Sequence, residues 1–293
     1  MEGFLKEDGR ALRSLWKEAF ADTERYMDFY FAKKAARSGI YTDRERERLA
    51  AMAFFTPYPV RLFGENYTAS YIVGVATHER YRGEHRMTRI LREGMAACER
   101  KGAPLVFLCP ETPAVYTSLG FRPVYWRETT FLGPDYKPGA PRGRVRAWEE
   151  LAAPERGHVV QFVNAQLERE GFDLFIERSA AYYDETASEL KALDGKLFTV
   201  WHNGDLLAVM HLIYEESRYQ LTECVVRPLD GKQAIDALLH FLRADSLQID
   251  DSYFLTELNG RGITREKQPK PYIMCRMLAG ETPPLRCYIN DIT

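Results

Sequence analysis

Cationic side chains and a glycine crowd into one seven-residue stretch of the chain. Its residues are Arg80, Tyr81, Arg82, Gly83, Glu84, His85 and Arg86. A glycine turn at the start of a helix leaves several backbone N–H groups free, the helix dipole adds partial positive charge there, and arginine side chains add full charge. Phosphate oxygens accept hydrogen bonds from all of these donors. The stretch therefore predicts a turn that binds a pyrophosphate.

The flanking residues predict a strand before this turn and a helix after it. Tyr71 to Ala76 is a short apolar run with β-branched residues, which is typical of a buried strand. From Met87 onward, apolar residues recur at spacings of three and four, the pattern of a helix with one buried face. The strand contains Val73, Gly74 and Val75, whose backbone N–H groups can face a ligand if the strand separates from its neighbour near the turn.

A second set of residues follows later in the chain. Leu105 to Cys109 predicts a short buried strand, and prolines at positions 110 and 113 end it. A short helix that contains Tyr116 comes next and ends in Leu119-Gly120-Phe121. Tyr116 can act as a proton donor or simply pack beneath Phe121.

Together these two segments resemble the GNAT family of N-acetyltransferases. Arg80-x-x-Gly83-x-His85 is similar to the family's R/Q-x-x-G-x-G/A motif, with His85 at the last position, and the Tyr-to-Leu-Gly-Phe ending is similar to the end of the family's core. The resemblance implies an acetyl-CoA-binding enzyme in which the strand residues Val73 to Val75 and the turn hold the co-substrate. It also implies that Tyr116 protonates the departing thiolate.

Within that family the sequence is most similar to the Eis-type (enhanced intracellular survival) acetyltransferases. Phe20-x-Asp22 resembles an N-terminal Phe-x-Asp that lines their acceptor pocket, and their sterol-carrier-like third domain has no counterpart in these 293 residues. The resemblance also implies that the C-terminal carboxylate, here Thr293, helps to deprotonate the acceptor amine. The apolar, alternating residues from 285 to 293 predict a docked strand that returns toward the active site.

Two predicted helices near the N-terminus are rich in aromatic residues. They either pack into the core or form the wall of an acceptor pocket in which Asp22 or Asp28 binds an amine. The acidic and aromatic residues favour a small cationic primary amine as the acceptor. Two other functions stay open: a non-catalytic acetyl-CoA-binding or regulatory module, which His85 favours, and a protein-lysine acetyltransferase.

The order of predicted elements divides the chain into two similar halves. Residues 133–146 hold three prolines and three glycines, which predicts a linker between a catalytic domain at 1–135 and a second domain at 136–293. The second half repeats the order of strands and helix, but Asp230 in its strand-to-helix joint opposes a phosphate. We expect an α/β (α+β) fold of tandem GNAT-like domains, each a mixed, mostly antiparallel sheet flanked by helices, with a degenerate second copy.

Composition restricts the partners and the compartment. The net charge of −2 provides no general attraction for nucleic acid or an anionic membrane, and no stretch is apolar enough to span one. Five cysteines without a C-x-x-C pair, and no secretory leader, indicate a cytoplasmic protein. His78 and His85 lack the spacing of metal ligands, so we expect no metal. A homo-oligomer is possible.

Two smaller expectations concern local structure. The charged residues 42–48, TDRERER, predict a solvated turn, and residues 124–132 predict one continuous strand.

Overall fold

The computed structural model describes residues 6–215 and 217–290 of the chain. Thr293, to which the sequence assigns a catalytic carboxylate, lies outside the described residues. The chain forms two compact units. Of the described residues, the first unit takes in 6–124 and 273–285, and the second takes in 125–272 and 286–290. The domain boundary near residue 135 stays a prediction.

Helices and strands are interspersed along the described residues. The helices are α1 (Lys6–Ala19), α2 (Glu24–Lys33), α3 (Arg86–Arg100), α4 (Pro113–Thr117), α5 (Ala153–Arg169), α6 (Ala180–Ala192) and α7 (Gly231–Leu242). The strands are β1 (Gly39–Glu45), β2 (Arg48–Leu62), β3 (Glu65–Thr77), β4 (Leu105–Leu108), β5 (Arg122–Tyr125), β6 (Glu128–Leu132), β7 (Arg144–Ala147), β8 (Leu174–Ile176), β9 (Lys196–His202), β10 (Asp205–Glu215), β11 (Arg218–Val226), β12 (Leu247–Ile249), β13 (Ile263–Lys267), β14 (Ile273–Met277) and β15 (Cys287–Tyr288).

Six strands of the first unit form one sheet in the order β1-β2-β3-β4-β14-β5. Strands β1, β2 and β3 are antiparallel neighbours, whereas β3 and β4 run parallel with α3 between them in the chain. The middle of β2 is buried on both faces, because helices cover the sheet and its residues are apolar throughout. The β2–β3 hairpin turns at Phe63 and Gly64, both with positive φ.

Helix α3 covers one face of this sheet. Its apolar residues Ile90, Leu91, Met95 and Cys98 are buried against strand residues in one continuous core. Gly94 faces Phe55 so closely that a methyl group there would overlap the ring, which explains why a glycine stands in the middle of the helix. The predicted helix after Met87 and the predicted strand at 71–76 are confirmed.

The second unit contains a seven-stranded sheet in the order β13-β6-β12-β11-β10-β9-β7. The β9–β10 hairpin turns at Asn203-Gly204, both with positive φ. Strands β11 and β12 run parallel with α7 between them, which repeats the β3-α3-β4 arrangement of the first unit. Each unit is therefore a mixed, mostly antiparallel sheet with flanking helices.

Two local expectations were wrong. Strand β1 runs to Glu45 and pairs with β2, so only Arg46 and Glu47 of the charged segment 42–48 form the turn. The expected strand over 124–132 is interrupted at Trp126-Arg127, which separates β5 from β6. In both cases strand pairing, which the local sequence does not encode, determined the outcome.

Candidate active site

Strand β3 contains an extra residue at the point where the sequence predicts co-substrate binding. Gly74 and Val75 together lie opposite Ala53, so this is a β-bulge, and Gly74 has a φ of +60°. A side chain at position 74 would lie 2.8 Å from Phe54 Cδ2 and closer still to Trp16 Cζ3. Glycine is therefore required here both by the backbone conformation and by the lack of space.

The pairing of β3 with β4 ends just before the bulge. The last paired residues are Ile72 and Leu108, and β3 continues as far as Thr77 while β4 ends. The edge of β3 from Val73 to Thr77 therefore has no partner in β4. Backbone groups along such an edge are available to an extended ligand, in the way that a peptide adds to an open sheet edge.

The predicted pyrophosphate turn connects this strand to α3. A single 3-10 turn spans Glu79–Tyr81, with His78 Nδ1 accepting the backbone N–H of Arg80 at 3.2 Å. Gly83 follows with a φ of +83°, and no atom lies within 4 Å of where a Cβ would stand. His85 is exposed and adopts a left-handed conformation as the N-cap of α3, a conformation that favours glycine over histidine. The front of the turn is open to a ligand.

The charged residues of the turn have different roles. Arg86 donates to Asp43 at 2.7 Å, to Glu45 at 2.6 Å and to Glu84 at 2.8 Å, and its guanidinium lies over the ring of Tyr81 at 4.9 Å. Its charge is therefore already compensated, and it fastens the turn to β1.

Arg80 and Arg82 remain exposed in the same turn. Within the described residues, the Arg82 side chain donates only to the carbonyl of Thr77, at 3.3 Å, and it borders a cavity of about 370 Å³ between α1 and the end of β3. Arg82 is therefore better placed than Arg86 to neutralise an anion.

Tyr116 lies on the short helix α4 and is half-buried. Its ring contacts Phe121 edge-on at 5.9 Å, and it packs against the same core as Val75 of the bulge and Met87 of α3. Burial, reinforced by the neighbouring thiol of Cys109, raises the pKa of Tyr116 to about 12. The hydroxyl thus stays protonated at neutral pH, as a general acid must.

The predicted acceptor residues separate into two groups. Trp16 Nε1 donates to the Asp22 carboxylate at 2.7 Å, and the ring of Phe20 lies 5.0 Å from the indole. Since Trp16 also touches Gly74, the structure brings Phe20 and Asp22 to the bulge. Asp28 instead accepts from Arg13 at 2.7 Å, and its side chain is 71% exposed.

In the second unit, a carboxylate lies at the start of α7. The corresponding position in the first unit, the glycine turn before α3, is open. Glu257 Oε1 accepts the backbone N–H of Gly231 at 2.7 Å, at the start of α7. The Asp230 side chain pairs with Arg227, and Leu255 also packs within 2.7 Å of the space that a Cβ on Gly231 would take. The sequence pointed to Asp230 as the residue that opposes a phosphate. The structure adds Glu257, which lies 26 residues beyond Gly231 along the chain.

Of the strand predicted over 285–293, residues 291–293 lie outside the described residues, and β15 takes in two of the others. Cys287 and Tyr288 pair in parallel with Leu174 and Phe175 of β8, and Asn290 is fully buried. In the described part of the chain, no cluster of three or more His, Cys, Asp or Glu side chains is arranged to hold a metal ion. None of the described helices has the length and apolar character needed to cross a bilayer.

Comparison with known protein families agrees with this geometry. Residues 5–124 match the family model described as an acetyltransferase (GNAT) domain. The chain therefore carries a GNAT acetyltransferase domain and is an acetyltransferase. No curated protein matches the chain significantly.

Solved structures extend the likeness to the tandem fold. A probable N-acyltransferase from Enterococcus faecalis superposes with a TM-score of 0.73 at 18% identity, covering 93% of this chain and 71% of that one. A GCN5-related N-acetyltransferase from Anabaena variabilis gives 0.65 at 13% identity, covering 92% and 69%. Eis1 from Mycobacterium abscessus gives 0.60 at 11% identity, covering 95% and 72%. The tandem GNAT-like fold predicted from the sequence is confirmed.

Sequence reasoning missed several residues that build this site. Trp16 was expected only as one aromatic residue among many, although its indole contacts both Asp22 and Gly74 of the bulge. Asp43 and Glu45 were assigned to a solvated turn, yet they hold Arg86. The alternating charges of 42–48 were the only available signal, and they are equally typical of a surface.

Proposed function

We propose that the protein transfers the acetyl group of acetyl-CoA directly to the primary amine of a small cationic acceptor. The observation that carries the proposal is the unpaired edge of β3 from Val73 to Thr77, which leads into an open glycine turn at the start of α3. An extended ligand that ends in a pyrophosphate matches this sequence of features: a strand edge, then a cluster of N–H donors with arginines.

In this proposal, acetyl-CoA is bound by backbone more than by side chains. The bulge at Gly74 directs N–H groups of Val73 and Val75 at the pantetheine arm and the thioester carbonyl. The turn from Arg80 to Arg86 holds the pyrophosphate, with Gly83 allowing close approach and Arg82 supplying charge. Arg86, Tyr81 and Glu84 form the support behind the turn, because their side chains contact one another. The exposed His85 stands beside the phosphate path.

The chemical step needs three contributions. The amine nitrogen attacks the thioester carbon, and a backbone N–H of the bulge stabilises the oxyanion that forms. The carbon–sulfur bond then breaks, and the Tyr116 hydroxyl gives its proton to the thiolate. The amine loses its own proton to a base, for which the Thr293 carboxylate is our candidate. No covalent enzyme intermediate is formed.

The acceptor is proposed from the residues near Trp16. Phe20 offers an apolar wall, and Asp22 offers a negative charge that attracts an ammonium group before it is deprotonated. Asp28 has a weaker claim, because Arg13 already pairs with it. We propose an Eis-type acetyltransferase, in which the second unit is a non-catalytic copy and Glu257 occupies the position of the anion.

The test is release of CoA thiol in the presence of a panel of amines. We expect turnover with small cationic primary amines, and calorimetry is expected to give one acetyl-CoA per chain. Acetyl-CoA binding without thiol release for any amine would indicate a regulatory module instead. Turnover with lysine-containing peptides, and none with small amines, would indicate a protein-lysine acetyltransferase.

A further inference from the structure

A second concave surface of the first unit is lined by arginines. It is a cavity of about 440 Å³ between α3, the end of α4 and the segment that follows β14. Three arginines line it from three separate parts of the chain: Arg92, Arg122 and Arg276. Glu281 is the one acidic residue in this lining. Unlike the arginines of the turn at Arg80–Arg86, these three arginines lie outside the motifs that the sequence displays.

These three arginines differ in their burial and in their contacts. Arg276 is half-buried beside Gly120, with its Nη1 donating to the carbonyl of Leu119 at 2.8 Å. Arg92 and Arg122 are exposed at the rim. Among the described residues, none of the three guanidinium groups forms an ion pair. By contrast, Arg86 and Arg89 of the same helix both pair with Asp43.

The remaining lining supplies neutral hydrogen-bonding groups. The segment after β14 folds back on itself, with the backbone N–H of Met277 donating to Thr282 Oγ1 at 3.0 Å. Gly280 lies in this segment with a φ of +76° and no atom within 4 Å of a Cβ position. The side of the cavity formed by the segment is therefore polar and open.

We propose that this cavity binds a phosphate monoester. Three guanidinium groups offer planar sets of N–H donors around one space, which suits a dianion with three terminal oxygens better than a single carboxylate. The volume leaves room for the sugar or nucleoside that carries the phosphate. Arg92 lies six residues beyond Arg86, about 9 Å further along the axis of α3, so this phosphate site is separate from the pyrophosphate turn.

Binding of inorganic phosphate tests the site without depending on transfer activity. In buffer with physiological chloride, which screens non-specific attraction, we expect Arg92→Glu and Arg122→Glu each to raise the phosphate dissociation constant at least about tenfold. Both residues are exposed, so the variants should remain folded. Arg10→Glu, which reverses an exposed charge on α1, is the matched control. Phosphate binding that is absent, or equal in all four proteins, overturns the proposal.

A second arm identifies the source of the phosphate. CoA and dephospho-CoA differ only in the 3′-phosphate. If the two bind the parent protein with different affinities and the difference disappears in Arg122→Glu, the site receives the phosphate of the co-substrate's own adenosine. If they bind equally while the arginine variants still lose inorganic phosphate, the site receives a separate phosphorylated ligand. Both results support the phosphate site. Only the titration with inorganic phosphate can contradict it.

Discussion

The indole of Trp16 lies against the backbone of Gly74, leaving no room for a side chain at position 74. The same indole donates a hydrogen bond to Asp22. One aromatic residue of α1 therefore links the bulge of β3, where the thioester is proposed to bind, to the loop proposed to receive the amine. Two substrates that react must be held within contact distance, and this packing provides a rigid basis for that.

Gly74→Ala tests this link. The added methyl group would overlap Trp16 and Phe54, and we expect the free energy of unfolding to fall by about 1–3 kcal/mol. Turnover should fall further than stability alone explains, because the bulge must shift. Gly9→Ala is a suitable control, since Gly9 lies in α1 with open space around it and alanine there should stabilise the helix by about 0.5–1 kcal/mol. Denaturant unfolding and steady-state kinetics measure both effects.

Gly83→Asp tests the pyrophosphate turn. A carboxylate would face the phosphates, so acetyl-CoA affinity should fall by about 100-fold or more. Gly64→Asp provides a matched control, because Gly64 has a φ of +82° and equally open surroundings but lies in the β2–β3 hairpin. Calorimetry should then show weakened binding in the first variant alone. Unchanged affinity in Gly83→Asp would show that the co-substrate binds elsewhere.

Tyr116→Phe removes one hydroxyl and leaves the contact with Phe121. Turnover is expected to fall by about 10²-fold with little change in acetyl-CoA affinity. Because the pKa of Tyr116 is raised to about 12, the group stays protonated, and its contribution should persist up to pH 10 and decline only as the pH approaches 12. Tyr67→Phe, at an exposed tyrosine of β3, should have no effect. Equal turnover in both variants would show that Tyr116 only packs against Phe121 and is not the general acid.

Asp22→Asn separates charge from structure in the acceptor loop. Asparagine can still accept the Trp16 N–H, so the fold should be kept while the attraction for an ammonium group is lost. We expect KM for cationic amines to rise about tenfold and the KM for acetyl-CoA to stay constant. Asp28→Asn should change the amine KM less, since Arg13 already neutralises that carboxylate. The opposite order of effects would move the acceptor pocket toward Asp28.

The proposed base is tested by extending the chain past Thr293. A few added residues would displace the terminal carboxylate, so turnover should fall sharply while acetyl-CoA still binds. An extension of the same length at the N-terminus is the control. Equal acetylation rates for the two extended proteins would exclude the carboxylate as the base.

The sequence by itself determined the elements that carry the chemistry. A β-branched run, a glycine turn and a helical periodicity specify β3, the turn and α3, because each depends on backbone preferences of neighbouring residues. The position of Tyr116 on a short helix, and the repeat of strands and helix in the second half, follow from the same local rules. Together with the two motifs that resemble the GNAT family, these features predicted the fold class and the acetyltransferase domain.

Only the tertiary structure decided which distant residues meet at these elements. Strand β14 lies between β4 and β5 although it follows them by about 150 residues, and it brings Arg276 to Leu119. Asp43 reaches Arg86, and Glu257 reaches the start of α7. Hydrophobic periodicity predicts that a face is buried, but it does not predict which element covers that face. A charged side chain likewise has many equivalent partners along an extended chain. Those choices are made by packing, so the charge compensation of Arg86 and the arginine-lined cavity could not be read from the order of residues.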